Sequence, residues 1–151
     1  MEAQLNKLKI GFGKPHHDWL PVSIKMGSFV LEFKASGVLD DPIVELVRCL
    51  LFATQEIEAS MSWWLEPEEY SFQFSIMPRG AMQLVISESS KSRSYKQLFH
   101  LDASFEEVVL PFWRALRKLN PSDFTGADWY PLPLEKLEKL TQLLKVRKLA
   151  S

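Results

Sequence analysis

The residues that could do chemistry are few and scattered. His16-His17-Asp18 puts two imidazoles and a carboxylate in succession, side chains that bind transition metals. Adjacent histidines on a loop are expected to point apart, however, and neither an H-x-x-x-H pair nor a cysteine pair supplies further ligands. No metal and no other cofactor is expected. His100, Asp102 and Ser104 alternate at a strand end and offer the base, orienting acid and nucleophile of a hydrolase trio. Ser104 also opens Ser104-Phe105-Glu106-Glu107, the spacing of a helix capping box, which accounts for its hydroxyl without catalysis. Gly11-Phe12-Gly13 lacks the third glycine and the strand–helix setting of a phosphate-cradling loop and reads as a turn. Cys49, the sole cysteine, lies in an apolar run and reads as a small buried hydrophobe. No catalytic residue is assigned, and the chain is not expected to be an enzyme.

The distribution of charge is more informative. Between Asp40 and Glu69 stand eight acids (Asp40, Asp41, Glu45, Glu56, Glu58, Glu66, Glu68 and Glu69) and one base, Arg48. From Tyr70 to Leu101 the balance reverses, with four bases (Arg79, Lys91, Arg93 and Lys96) and one acid, Glu88. Glu66, Glu68 and Glu69 lie beside Trp63 and Trp64. Successive strand residues face opposite ways, so both tryptophans cannot enter one core. An aromatic side chain rimmed by carboxylates suits a basic protein partner, and Trp63, Trp64, Glu66, Glu68 and Glu69 are the candidate contact residues.

The whole chain sets bounds on function. At 151 residues it is expected to form one domain, 1–151. Its 18 basic and 19 acidic residues leave a net charge of -1, which gives no basis for binding nucleic acid or an anionic membrane. No apolar run approaches the roughly 18 residues of a membrane span. Met1 to Ile10 lacks the apolar stretch of a signal peptide, and one cysteine permits no disulfide within the chain. These features predict a cytoplasmic protein.

The elements that would position these residues follow from periodicity. Tyr70, Phe72, Phe74 and Ile76 alternate with Ser71, Gln73 and Ser75, the mark of a half-buried antiparallel strand. Trp63 to Pro67 reads as its partner, joined to it by Pro67-Glu68-Glu69. Lys7 to Phe12, Trp19 to Met26 and Ser28 to Ala35 are expected strands, with Met26-Gly27 at a hairpin tip. Asp40-Asp41-Pro42 opens a helix expected to run to about Ile57, because a carboxylate caps free amides and proline suits the first turn. Met82 to Ser87 and Tyr95 to Leu101 are two further strands, with polar Glu88 to Ser94 expected as a loop between them. A helix follows from the capping box to about Leu119, with Pro111 expected to kink it. Trp129-Tyr130-Pro131 is expected to pack down as a strap. Pro133 starts a last helix with Leu137, Leu140 and Leu144 on one face. The order β-β-β-α-β-β-β-β-α-α predicts an α+β fold, an antiparallel meander of six to seven strands with three helices.

Four motifs carry a resemblance. Trp19-Leu20-Pro21-Val22, Val38-Leu39-Asp40-Asp41-Pro42, Trp64-Leu65-Glu66-Pro67-Glu68-Glu69-Tyr70 and Tyr130-Pro131-Leu132-Pro133-Leu134 resemble a family of small bacterial cytoplasmic proteins. Its members share a W-x-x-E-P-x-E-Y-like centre and a closing proline-leucine helix, and the likeness spans Trp19 to Leu144. The resemblance implies no enzymatic activity and carries no catalytic residues across. In general character the chain is also similar to the immunity proteins of bacterial toxin systems. The expected function is therefore that of a protein-binding module, most concretely an immunity protein that occludes a basic toxin domain. The alternative is a small-molecule binder or enzyme with a pocket between the sheet and the helix over 104–119. A third reading is a homodimer formed through an edge strand or the final helix.

Overall fold

A computed structural model describes residues 7–90 and 93–147. Seven strands, β1 (Lys9–Phe12), β2 (Trp19–Met26), β3 (Phe29–Ser36), β4 (Ala59–Trp64), β5 (Glu69–Ile76), β6 (Ala81–Ser90) and β7 (Arg93–Ser104), form one antiparallel sheet in chain order. Helix α1 (Pro42–Thr54) lies between β3 and β4, and α2 (Phe105–Arg117) and α3 (Leu134–Val146) follow β7. The fold is α+β, with the element order that the periodicity predicts.

The sheet is nearly two sheets. Whereas β2 and β3 pair along their whole length, β3 meets β4 only at Ser36 and Trp64. Phe29 on β3 stacks on Phe99 of β7 at 4.5 Å although three strands separate them in the sheet. The sheet therefore curls, and its concave face holds the core. Leu20, Val22 and Ile24 of β2, Phe72 and Phe74 of β5, and Met82, Leu84 and Ile86 of β6 are all buried there. Trp63 joins them, with Phe12, Phe33 and Phe72 around its indole at centroid distances of 6.1, 5.8 and 5.7 Å. Phe112 of α2 meets Phe72 and Phe74 edge-on, an arrangement that favours aromatic pairs beyond simple burial. Between α2 and α3 the Trp113 indole donates to Thr141 Oγ1 at 3.0 Å, so that buried N–H is satisfied.

The helix termini show where local sequence signals suffice and where they do not. Asp41 caps α1 by accepting from the Ile43 amide at 3.0 Å. The Ser104–Glu107 capping box forms in both directions, at 3.0 and 3.1 Å. Helix α1 stops at Thr54, three residues before the expected Ile57. Glu56 adopts a left-handed conformation (φ 59°), while Ile57 donates to Phe52 O and Glu56 to Ala53 O. That bonding pattern closes a helix end around a left-handed residue, usually glycine, and a glutamate there leaves no signal in the sequence. Helix α2 ends at Arg117, with Pro111 inside one continuous span.

The expected loop from Glu88 to Ser94 is mostly strand. Pairing continues through Glu88–Lys96 and Ser90–Arg93, past two register shifts; Lys91 and Ser92, also in that stretch, lie outside the described residues. The polar composition of this hairpin hides it because no face of it is apolar. The strap behaves as expected. Trp129 is buried and donates to Asp41 Oδ1 at 3.3 Å, while the Tyr130 hydroxyl donates to the Gly37 carbonyl. A β-carbon at Gly37 would lie 2.8 Å from the Trp129 ring, so only glycine admits the strap there.

Candidate functional site

The alternation of β4 decides what reaches the surface. Met61 and Trp63 point into the concave face, and Ser60, Ser62 and Trp64 point out of it. Trp63 is fully buried and belongs to the core, so of the two candidate anchors only Trp64 can touch a partner. Trp64 stands beside Glu69 on β5 and Ser36 on β3, at the narrow link between the two halves of the sheet. With Leu39, Glu66 and Pro67 it lines a shallow, open depression. Val38 and Leu39, each 62% exposed, extend the apolar surface toward α1.

Glu66 lines the depression, and Asp40, Glu68 and Glu69 adjoin its lining residues in the chain or across the sheet. Glu66 and Pro67 make a tight turn, closed by the Leu65 amide donating to Glu68 O at 2.7 Å, with Glu66 left-handed (φ 54°) and the Glu66–Pro67 peptide cis. Glu66 and Glu68 are exposed at its tip. Glu69 Oε1 accepts from the Ser89 hydroxyl at 3.0 Å. Burial raises the Asp40 carboxyl above its ordinary value and nearby Glu45 adds to that, while a hydrogen bond from the Trp64 side chain opposes both. Tyr70 is raised by burial, then by Glu88 and Glu68. Arg48, the sole base of this stretch, is engaged by Glu45 at 2.9 Å. Among the described residues, Asp40, Glu66, Glu68 and Glu69 have no ion-pair partner. The structure thus brings Trp64, Glu66, Glu68 and Glu69 together and adds Leu39, Asp40 and Pro67. Leu39 and Asp40 arrive through the crossover into α1, some 25 residues from Trp64 in the chain; the acidic stretch already contained Asp40, while only the Val38–Pro42 motif drew attention to Leu39.

The other chemical candidates fall out differently. His100 Nε2 lies 3.0 Å from Asp102 Oδ2, and Gln83 donates to Asp102 Oδ1 at 3.0 Å, all on the open outer face of β6 and β7. The Ser104 hydroxyl, occupied by the Glu107 amide, makes no trio with them. Cys49 is fully buried, and burial pushes its thiol up to about 11, the opposite of what a nucleophile needs. The expectation that His16 and His17 point apart is corrected. Their ring centroids are 3.9 Å apart, and both Nδ1 atoms approach Asp128 Oδ1, at 3.7 and 3.8 Å. Asp128, not the adjacent Asp18, is the carboxylate at this cluster, and 111 residues of chain separate it from His17.

Compared with family models, curated proteins and solved structures, the chain matches none of them.

Proposed function

We propose that this chain is a non-enzymatic protein-binding module, most concretely a bacterial immunity protein that neutralises a basic toxin domain. Toxins that act on nucleic acid carry cationic surfaces to hold phosphates, and an acidic patch complements such a surface. The observation that carries the reading is the Trp64 depression, where a half-buried aromatic and exposed Leu39 stand with Glu66 in its lining and Asp40, Glu68 and Glu69 adjoining it, none of the four ion-paired to a base among the described residues. An aromatic anchor inside a polar rim is the common anatomy of an interface hot spot. The resemblance to small bacterial cytoplasmic proteins and the immunity-like character of the chain agree with this reading.

The test is to identify the neighbouring gene and, where it encodes a basic toxin domain, to measure that domain's affinity for wild type, Trp64→Ala and the Glu66→Lys/Glu68→Lys/Glu69→Lys triple variant. Trp64→Ala should speed dissociation, and the triple variant should slow association, with a loss that shrinks as salt screens the attraction. Equal affinities in all three would remove the patch, and a neighbouring gene that encodes no toxin would remove the immunity reading.

A second reading, a small-molecule site, has one observation behind it. A cleft of about 230 Å³ runs between the sheet and α2, with Met26, Leu101, Leu110, Pro111, Glu106 and Arg114 in its lining. It falls below the ~300–1,000 Å³ usual for ligand pockets, so it ranks second.

A further inference from the structure

The geometry points to a second site, independent of the Trp64 patch: His16, His17 and Asp128 bind a divalent transition cation such as zinc, nickel or copper. Two histidines and one aspartate each present a ligand atom, and these atoms all lie within 4.8 Å of one another. Ligands 2.0–2.1 Å from a tetrahedral zinc stand roughly 3.3 Å apart. The two histidine–carboxylate separations of 3.7 and 3.8 Å need to close by a few tenths of an ångström, and the histidine–histidine separation, within 4.8 Å, by up to about 1.5 Å, which rotation of the exposed imidazoles supplies. Two imidazoles with one carboxylate select a borderline transition ion over calcium or magnesium, which take mostly oxygen.

The backbone holds this arrangement in place before any ion arrives. His16 and Trp19 exchange backbone hydrogen bonds at 2.9 and 3.0 Å, so His17 and Asp18 are the central residues of a two-residue turn. Both are left-handed, at φ 49° and 67°, as a type I′ turn requires, and aspartate and histidine accept that conformation more readily than most residues with a side chain. Asp128 anchors the turn twice: its Oδ1 accepts from the His17 amide at 2.9 Å and its carbonyl from the Asp18 amide at 2.9 Å. The same residue that supplies the anionic ligand thus orients the histidines. Two consecutive left-handed residues other than glycine still carry some strain, and such strain clusters at functional sites. Lys14 and Lys34, which line the adjoining hollow with Trp19, work against a cation. Lys14 is partly offset by Asp123, 3.9 Å away. Three protein ligands leave at least one coordination position open to water.

The experiment is calorimetric titration of zinc chloride into the full chain after chelator treatment. The variants are His16→Ala, Asp128→Asn and, as a control on the other histidine–aspartate pair, His100→Ala. Asp128→Asn keeps an oxygen for the His17 amide while removing the anionic ligand, so it separates ligation from support of the turn. Wild type and His100→Ala should bind one zinc per chain with equal affinity and melt higher with zinc than without it. His16→Ala and Asp128→Asn should each bind about tenfold or more weakly and lose that rise in melting temperature. No saturable zinc binding by wild type, or binding undiminished by both variants, would overturn the assignment.

Discussion

Trp63 and Trp64 are neighbours in the chain, yet they belong to different parts of the molecule. Trp63 lies against three aromatic rings on the concave face, where its neighbours are set by packing. Trp64 stands on the outer face among carboxylates, over a depression with no second layer above it. The concave face repays every buried methylene, whereas the outer face near Trp64 leaves apolar surface and like charges together at the solvent boundary. A partner that supplied the missing contacts, as in the proposed function, would account for this combination.

The largest effects should fall on the concave face. Trp63→Ala and Phe74→Ala should each cost about 3–5 kcal/mol through lost burial and the cavity left behind, and Trp64→Ala no more than about 1 kcal/mol. Denaturant midpoints of the three variants would measure the contrast, and similar losses at Trp63 and Trp64 would abolish it. Trp63 Nε1 has no hydrogen-bond partner among the described residues, so Trp63→Phe, which deletes that donor, should cost less than Trp63→Ala.

Next in size is the strap that joins the two faces. Gly37→Ala drives a β-carbon into the Trp129 ring and should cost about 1–3 kcal/mol by overpacking. A tryptophan-fluorescence change in folded Gly37→Ala protein that disappears in a Trp129→Phe background would report the displaced strap. An unchanged melting temperature would show that the strap yields freely.

Smaller effects come from single hydrogen bonds and charges. Ser104→Ala should cost about 1 kcal/mol by removing half of the capping box. Glu107 is held below its ordinary 4.5, first by the Ser104 amide and then by the Ser104 hydroxyl. A lowered folded value means that its contribution is present above 4.5 and is lost as pH falls through the lower, folded value. Asp40 behaves oppositely. Burial raises it above 3.8, so its charge costs stability at neutral pH and that cost is relieved as pH falls through the raised value. In acid titrations of stability, Glu107→Gln should therefore flatten the low-pH loss, and Asp40→Asn should steepen it. Smallest of all, the Glu66→Lys/Glu68→Lys variant should melt within a few degrees of wild type, because exposed turn charges contribute roughly 0–1 kcal/mol each, whereas adding Glu69→Lys also removes the Ser89 hydrogen bond. A large drop in its melting temperature would mean these acids serve the fold.

What the sequence determined alone is the set of features that depend on near neighbours. The alternation from Tyr70 to Ile76, the Asp41 cap, the Ser104–Glu107 box and the leucine face of α3 each follow from residues a few positions apart, and each stands in the structure. Alternation also required the two tryptophans to part, though not which would turn inward. That was decided by the register of β4 on β5, which sets Met61 opposite Phe72 and Trp63 opposite Tyr70 on the concave side. The hairpin around residue 90 and the end of α1 were hidden because backbone bonding, rather than side-chain pattern, holds them. Leu39 beside Trp64, and Asp128 beside His16 and His17, are the strongest examples of what tertiary structure alone decided. Adjacent histidines carry no directional information until a left-handed turn bends the chain beneath them, and a carboxylate more than a hundred residues away becomes their neighbour only when the strap closes.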